Sequence, residues 1–262
     1  MCAKYLKLFS NQSFEIGVFQ EIKQTKTRMK KLVLSIFAAA LLFSCKDDKN
    51  NTNPQLSLND TFEKSAEGWV GDFADYPVGQ ETFYELKFSH EKLPLPLDTL
   101  KKAIRISGNN HSDDLFMFMK KKVSGLKPNQ AYAASFEVSF ASNAAKNQMG
   151  VGGAPGESVY FGIGMTSIEP KKVVDSVSKH YTMNIKKMQQ AGSGDDMKVI
   201  GNVANGTDSN KYVVVKRTGE FIGKSDAKGE MWLIVGTDSG FEATTTLYYT
   251  GVKAVFTEVK AN

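Results

Sequence analysis

Apolar and polar residues alternate with a period of two along most of the chain after residue 58, which is the pattern of half-buried β-strands. The alternation is clearest at 136–140, and the stretch 231–235 is apolar on both faces, which predicts a central strand covered on both sides. Segments of strand composition lie at 82–88, 103–107, 115–121, 132–140, 159–166, 212–218, 231–237, 244–249 and 252–259. Helical signals are sparse and fit only short turns at 96–102 and 183–190. Many strands separated by Gly and Asn turns predict an all-β fold, an antiparallel two-sheet β-sandwich (jelly roll) with long loops and little helix.

The segment 144–210 has the least regular pattern, with a glycine-rich stretch at 150–156. A structureless stretch of this length is unusual inside a compact domain. We therefore expect a strand at 159–166 to pair with a sheet, while the remainder forms long loops over one rim of the sandwich. The glycines at 150–156 lack the helix that follows a phosphate-binding loop, so they indicate a tight, irregular loop instead.

A segment typical of a secretory signal precedes the strand-rich region. Lys30 and Lys31 follow Met29, the run 32–43 is apolar, and Ser44 precedes Cys45. The 12 apolar residues are too few for a membrane-spanning helix, which needs about 20. The Leu-Phe-Ser-Cys sequence that ends at Cys45 resembles the lipobox of bacterial lipoproteins. This resemblance implies that Cys45 is diacylated and becomes the first residue of the mature protein.

These features divide the chain into four parts. Residues 1–28 are a start assigned too early or an N-terminal extension, 29–44 are the lipoprotein signal peptide, 45–56 are a polar, flexible tether, and 57–262 are the β-sandwich domain. The Lys-Asp-Asp that follows the cysteine also resembles the surface-export signal of lipoproteins in the Bacteroidetes. We therefore expect a cell-envelope protein that is lipid-anchored to the outer membrane. The sequence is compatible with either the periplasmic face or the cell surface.

The charge of the chain gives no support for nucleic-acid binding. There are 33 Lys and Arg against 28 Asp and Glu, but residues 1–44 hold seven of the bases and two of the acids. The mature chain keeps 26 of each and has no net charge, so no nucleic-acid partner is expected. The other cysteine, Cys2, also precedes Cys45, which leaves the mature chain without a disulfide or a Cys-based metal site.

Three fragments resemble the galactose-binding-like jelly rolls that include many carbohydrate-binding modules. They lie at 60–69, 125–132 and 245–252, in the order of an opening strand, a turn into a central strand and a closing strand. The resemblance implies a sugar-binding sandwich. It also implies a structural calcium ion, for which Asp60 and Glu63 offer oxygen ligands, although Thr250 stands where the closing strand usually has an acid. The alternative is that both acids only cap an edge strand.

Three loops carry the candidate ligand-binding side chains. The aromatic rings in 68–77 can stack on a sugar face or fill the end of the sandwich. The amide, imidazole and carboxylate groups in 108–114 can pair with sugar hydroxyls or stabilise their own turn. The loop 236–242 follows the most buried strand and adds two carboxylates. The predicted ligand-binding residues are Trp69, Tyr76, Asn109, Asn110, His111, Asp113, Asp114, Asp238 and Glu242.

Three functions remain open at this point. The first is non-catalytic binding of a ligand, most simply a glycan, through these loops. The second is a carbohydrate-active envelope hydrolase or lyase, with His111, Asp113, Asp238 and Glu242 as candidate catalytic groups. No nucleophile-elbow or zinc-ligand spacing accompanies them, which favours the non-catalytic interpretation. The third is a structural or assembly lipoprotein that contacts another envelope protein.

Overall fold

The computed structural model describes residues 56–260, and strands joined by turns make up their secondary structure. No helix occurs within this range. The strands are β1 (Ser57–Asp60), β2 (Val70–Ala74), β3 (Tyr76–Pro77), β4 (Lys87–Lys92), β5 (Lys102–Asn109), β6 (Leu115–Val123), β7 (Ala131–Ser142), β8 (Val159–Thr166), β9 (Lys172–Val174), β10 (His180–Met183), β11 (Met197–Asn202), β12 (Val213–Lys224), β13 (Met231–Ser239) and β14 (Thr244–Glu258).

Two antiparallel sheets face each other. Sheet A has the strand order β12-β7-β14-β5-β4, with β1 paired to β14, and sheet B has the order β11-β8-β13-β6-β2. A small third sheet, sheet C, has the order β3-β10-β9. From β5 to β8, and again from β11 to β14, successive strands alternate between sheets A and B, as in a jelly roll. The predicted all-β, antiparallel two-sheet sandwich is therefore confirmed.

The main core fills the space between sheets A and B. Met231, Leu233 and Val235, alternate residues of the central strand β13, are fully buried in it. Phe140 of sheet A and Phe161 of sheet B stack across the space, with ring centroids 4.7 Å apart. Burying one large apolar side chain stabilises the fold by about 1.5–3 kcal/mol, so these alternating positions decide which face of each strand turns inward.

Sheet B is also covered on its outer face. Residues 184–196, which we call the cover segment, connect β10 to β11 and place Ile185 and Met188 on this face. The two side chains pack in a second apolar cluster with Ile234 of β13. Gly162 makes room for the cover, because a Cβ atom there would lie 2.2 Å from Met188 Sδ. The expected central strand at 231–235 is thus confirmed. One of its faces packs in the main core and the other packs against the cover segment.

Two local predictions need correction. The strand predicted at 82–88 is wrong, because residues 82–85 form a turn and β4 begins at Lys87. The apolar residues there anchor that turn: Tyr84 is buried and its amide donates to Gln80 O at 2.9 Å. The segments predicted at 244–249 and 252–259 are one continuous strand, β14, with a register irregularity between Tyr249 and Gly251.

The irregular segment 144–210 is more ordered than its pattern suggests. The strand predicted at 159–166 is confirmed as β8. The remainder does not form only rim loops, because it also contains β9, β10, β11 and the cover segment. Part of this segment lies on the outer face of sheet B. The buried side chains of the cover segment come from turns, so their spacing in the sequence shows neither the strand period nor the helix period.

The predictions for the N-terminal part of the chain fall outside the described residues. They are the signal peptide at 29–44, the lipidation of Cys45 and the tether at 45–56, and they stay predictions. Within residues 56–260, no helix is long and apolar enough to cross a membrane.

Candidate functional site

One end of the sandwich brings together the three loops that the sequence singles out. Asp75 follows β2, Asp114 precedes β6, and Asp238 lies near the end of β13. One carboxylate oxygen from each of these residues lies within 4.8 Å of the other two. Loops 68–77, 108–114 and 236–242 therefore do meet, but they meet through acidic side chains.

The cover segment supplies a cation to this acidic group. Lys187 Nζ lies 2.8 Å from Asp75 Oδ2 and 2.5 Å from Asp238 Oδ2, and it donates to Met188 O at 2.9 Å. The lysine side chain is only 8% exposed, and its ammonium lies 4.8 Å from the centroid of the Phe116 ring. We call Lys187 and its three carboxylates the polar centre.

Burial changes the titration of the polar centre. Desolvation raises the pKa of Asp238 from 3.8 to about 7, against the opposing charge of Lys187 and with a further contribution from Asp114. Burial also raises the pKa of Asp75. Burial acts to lower the pKa of Lys187, but the Asp238 and Asp75 carboxylates outweigh it, so the pKa is raised. Asp238 Oδ1 and Asp114 Oδ1 are buried without a hydrogen-bond partner among residues 56–260. The unpaired Asp238 oxygen is therefore the acceptor for the proton that the raised pKa of this residue implies.

This geometry corrects the predicted loop position of Asp238. The residue is fully buried, because β13 continues to Ser239 and an exposed loop begins only after it. The cover segment is tied to the same region by Gln189 Nε2, which donates to Asp114 Oδ2 at 3.2 Å. The contacts of Asp238 hold the cover segment on sheet B, and a ligand-binding role for this buried carboxyl group stays a prediction.

The two predicted stacking residues are also core residues. Trp69 is 2% exposed, and its Nε1 donates to Asp60 Oδ2 at 2.8 Å. Tyr76 is fully buried, its ring lies 5.6 Å from that of Tyr84, and its hydroxyl accepts from Lys172 Nζ at 3.0 Å. In the described structure both rings fill the end of the sandwich, as the alternative interpretation expects, and a sugar-stacking role for them stays a prediction.

The loop 108–114 mainly holds itself and its neighbours in place. Asn110 is buried, and its Nδ2 donates to Ser239 O at 2.8 Å and to Phe241 O at 3.0 Å, which uses both amide hydrogens. Asn109 is the last residue of β5 and donates weakly to a glutamate side chain at 3.4 Å. The exposed His111 stacks on the exposed Phe83 ring, with centroids 4.1 Å apart. The Asn110 amide hydrogens are therefore used within the fold, and a ligand-binding role for this residue stays a prediction.

The remaining predicted residues lie apart from the polar centre. Asp113 is exposed, and its backbone oxygen accepts from Gln190 Nε2 at 2.9 Å. Glu242 packs over Gly152, whose hypothetical Cβ would lie 2.8 Å from its Cγ. His111, Asp238 and Glu242 thus have different neighbours in the described structure, and the catalytic hypothesis built on them lacks the convergence it requires.

The two predicted calcium ligands have protein partners. Asp60 Oδ2 accepts from Trp69 and lies 2.7 Å from Lys121 Nζ, while Glu63 Oε1 lies 2.9 Å from Lys101 Nζ. Within residues 56–260 they belong to no group of three acidic, histidine or cysteine side chains close enough to share an ion. Calcium binding at Asp60 and Glu63 stays a prediction.

A separate pocket opens at the same end of the sandwich. Gly240 lies beside the Asp113 carboxylate and the Gln190 amide, and the next residue, Phe241, lines the pocket. The volume is about 270 Å³, close to the lower bound of small-molecule sites at roughly 300 Å³. The lining residues are Ser142, Asn143, Ala144, Gln148, Met149, Pro155, Val203, Asn210, Phe241, Thr244, Thr245, Thr246 and Leu247.

The rim pocket, as we call this cavity, has a neutral and polar lining. None of the lining side chains carries a charge. The side-chain amides of Asn143, Gln148 and Asn210 make no hydrogen bond within the described part of the chain. The Thr245 hydroxyl in its wall is buried and also lacks a partner there. Free amides beside an aromatic ring are suited to a neutral ligand rich in hydroxyl groups.

Sequence reasoning predicted Asp114 and Asp238 of the polar centre but missed the residues that complete both sites. Lys187 and the three amides all come from, or border, the irregular segment 144–210, which was expected to form loops over a rim. The only usable signal was the glycine-rich stretch 150–156. There, Gly150 lies against the Phe241 ring, since a Cβ atom would be 2.5 Å from Phe241 Cε2. A charged residue between apolar neighbours, as at 185–188, does not by itself reveal a buried ion pair.

No protein-family model matches the sequence, and no curated protein matches it. Similar solved structures include the CBM22-1 and GH10 modules of endo-1,4-β-D-xylanase 10B from Clostridium thermocellum with xylohexaose, at 12% identity and a TM-score of 0.35 over 78% of this chain and 30% of that one. A cleaved adhesin domain of Lys-gingipain from Porphyromonas gingivalis matches at 10% identity and a TM-score of 0.34, over 79% of this chain and 99% of that one. The Stig cyclase Fisc from Fischerella matches at 8% identity and a TM-score of 0.35, over 78% of this chain and 100% of that one. This chain spans less than a third of the xylanase chain, and a likeness at these values carries no argument about function.

Proposed function

We propose that the protein is a lipid-anchored cell-envelope protein that binds a neutral saccharide in the rim pocket without catalysis. The observation that carries this proposal is the uncharged lining, in which three side-chain amides have no partner among the described residues. Sugar hydroxyls both donate and accept, as amide side chains do. The Phe241 ring and the almost fully exposed Met149 side chain supply the apolar surface that sugar CH groups need.

The size of the rim pocket limits the ligand. At about 270 Å³ it suits a terminal sugar or one short end of a glycan better than the middle of a long chain. The absence of lining charges in the described structure also disfavours acidic sugars, which need a cation partner on burial. The ligand class is therefore a neutral glycan end.

A glycan array tests the proposal, with the full chain presented in detergent micelles. We expect binding to neutral glycans that share one terminal sugar. Binding confined to acidic glycans, or no binding to any glycan, would contradict the proposed function.

Lipidation is a separate part of the proposal and has its own support. It rests on the sequence that ends at Cys45, since the described residues begin at 56. Mass spectrometry of the protein from its native envelope is expected to show an N-terminal diacylated cysteine at position 45. An unmodified sulfur at that position would remove the anchor and leave the binding proposal standing.

A further inference from the structure

Strand β12 forms a long free edge of sheet A. It runs over 12 residues, Val213–Lys224, and pairs with β7 along its whole length. No strand of the described structure pairs with its other side. The backbone groups on that side therefore remain available to another strand, and a long exposed edge of this kind is a template for pairing between chains.

Two apolar side chains on the outer face of β12 are uncovered. Val214 is 48% exposed and Ile222 is 65% exposed. Their neighbours on β7 are Ala141 and Ala133, which are too short to cover them. Each end of the free edge thus presents an apolar side chain without an adequate partner in its own sheet.

The outer face of β12 is complementary to itself. In an antiparallel pair of two β12 strands with a two-fold axis at Thr218, Val214 lies opposite Ile222 and Lys216 lies opposite Glu220. Each pair occurs twice by symmetry, and all five positions share one face because side chains alternate along a strand. Centring the axis on 216, 217 or 220 places two lysines, two arginines or two glutamates opposite each other, and centring it on 219 places Lys216 opposite Ile222. Among these registers, the axis at Thr218 joins both the apolar and the oppositely charged side chains.

We infer that β12 is a homodimer interface, at which two copies of the chain join their A sheets edge to edge. The occupant of the free edge is a second copy, because its own sequence pairs the uncovered apolar side chains of both strands. The same register brings Lys216, which pairs with Glu137 at 3.0 Å within its subunit, opposite Glu220 of the second copy. The contact is isologous, so it closes after two subunits and forms no filament.

Charge reversal tests the pairing. Sedimentation equilibrium of the full chain in detergent micelles is expected to show a dimer, and Lys216→Glu or Glu220→Lys alone is expected to weaken it at least tenfold. The double reversal restores opposite charges across the axis and is expected to regain the dimer. Lys253→Glu is the matched control, since this lysine is 57% exposed on the interior strand β14 and should leave dimerisation unchanged.

A crosslinking experiment tests the register in a chain with Cys2→Ser and Cys45→Ser. Thr218→Cys is expected to form a disulfide-linked dimer on mild oxidation, because the two Cβ atoms at the axis lie about 4.5–5.5 Å apart. Val214→Cys is expected not to, because its two copies are eight positions apart in this register, on the order of 27 Å. A monomeric unaltered chain, a double reversal as monomeric as the single ones, or equal crosslinking of both cysteine variants would each overturn the inference.

Discussion

The Lys187 ammonium neutralises only part of a buried acidic group, since three carboxylates contribute oxygens within 4.8 Å of one another. A buried ion pair adds little stability compared with an apolar replacement, but removing one partner leaves the other charge unpaired. The polar centre is therefore a point at which single substitutions have large effects. It also fixes the cover segment in one position on sheet B.

Replacing Lys187 with Met tests how much the fold depends on this cation. We predict a loss of about 3–5 kcal/mol in the free energy of unfolding, because the buried carboxyl groups of Asp75 and Asp238 lose the cation that pairs with them. Lys186→Met is the matched control, since the neighbouring lysine is 77% exposed and pairs with Asp195 at the surface. Removing this solvent-exposed ion pair should leave the free energy of unfolding nearly unchanged. Urea denaturation of the three proteins measures the difference, and equal costs would contradict a buried role for Lys187.

The raised pKa of Asp238 predicts a pH-dependent stability. The folded state holds this proton up to about pH 7, whereas the unfolded state releases it near 3.8, so stability should fall as pH rises between these values. The full effect of the shift from 3.8 to about 7 is on the order of 4 kcal/mol. Hydrogen bonds from lysines lower the pKa values of Glu137 and Glu169, so these residues titrate on the acid side of an ordinary glutamate.

Denaturation between pH 5.5 and 8 distinguishes the contribution of Asp238 from those of Glu137 and Glu169. Asp238→Asn cannot ionise and is expected to flatten the decline in stability over this range. Asp208→Asn, at a carboxylate that is 84% exposed, serves as the control and should keep the decline. A profile for Asp238→Asn that is parallel to that of the unaltered chain would show that this carboxyl group does not carry the proton.

At the scale of elements, the cover segment depends on glycines beneath it. Gly162→Ala places a Cβ atom 2.2 Å from Met188 Sδ and 2.9 Å from Lys198 O. We predict a cost of about 1–3 kcal/mol from overpacking. Met188→Ala alone leaves a cavity and costs about 2–5 kcal/mol, but the double variant should cost less than the sum, because the alanine at 188 removes the first clash. Additive costs in thermal or urea unfolding would mean that the cover does not rest on this glycine.

Element prediction from the sequence succeeded where a strand has one apolar and one polar face. The alternation at 136–140 and the doubly apolar run at 231–235 correctly indicated β7 and β13. It failed at 82–88, where Tyr84 anchors a turn, because burial of a single aromatic side chain leaves no period to detect. The cover segment was missed for a related reason: Ile185 and Met188 are brought inward by turns.

The candidate sites were only partly predictable. The three loops were expected to converge if they shared a rim, and Asp75, Asp114 and Asp238 show that they do. Which of their side chains would be buried was not predictable, because strand ends could not be fixed to within the two or three residues that separate Asp238 from the loop. Lys187 is contributed by an element more than fifty residues away in sequence, and no local pattern predicts such a contact.

At the scale of the whole molecule, three different surfaces of the sandwich have three different roles. The outer face of sheet B is closed by the cover segment, the free edge of sheet A faces a second copy in our inference, and the end of the sandwich holds the rim pocket. The central claim is that recognition takes place in this neutral pocket.

Calorimetric titration of the best glycan from the array tests the claim most directly. We predict that Gln148→Ala and Asn210→Ala each weaken binding roughly 2- to 10-fold, because each removes one amide partner at about 0.5–1.5 kcal/mol. Phe83→Ala, which removes an exposed ring that does not line the pocket, should bind as the unaltered chain does. Unchanged affinity in both amide variants, or a loss confined to Phe83→Ala, would contradict the account.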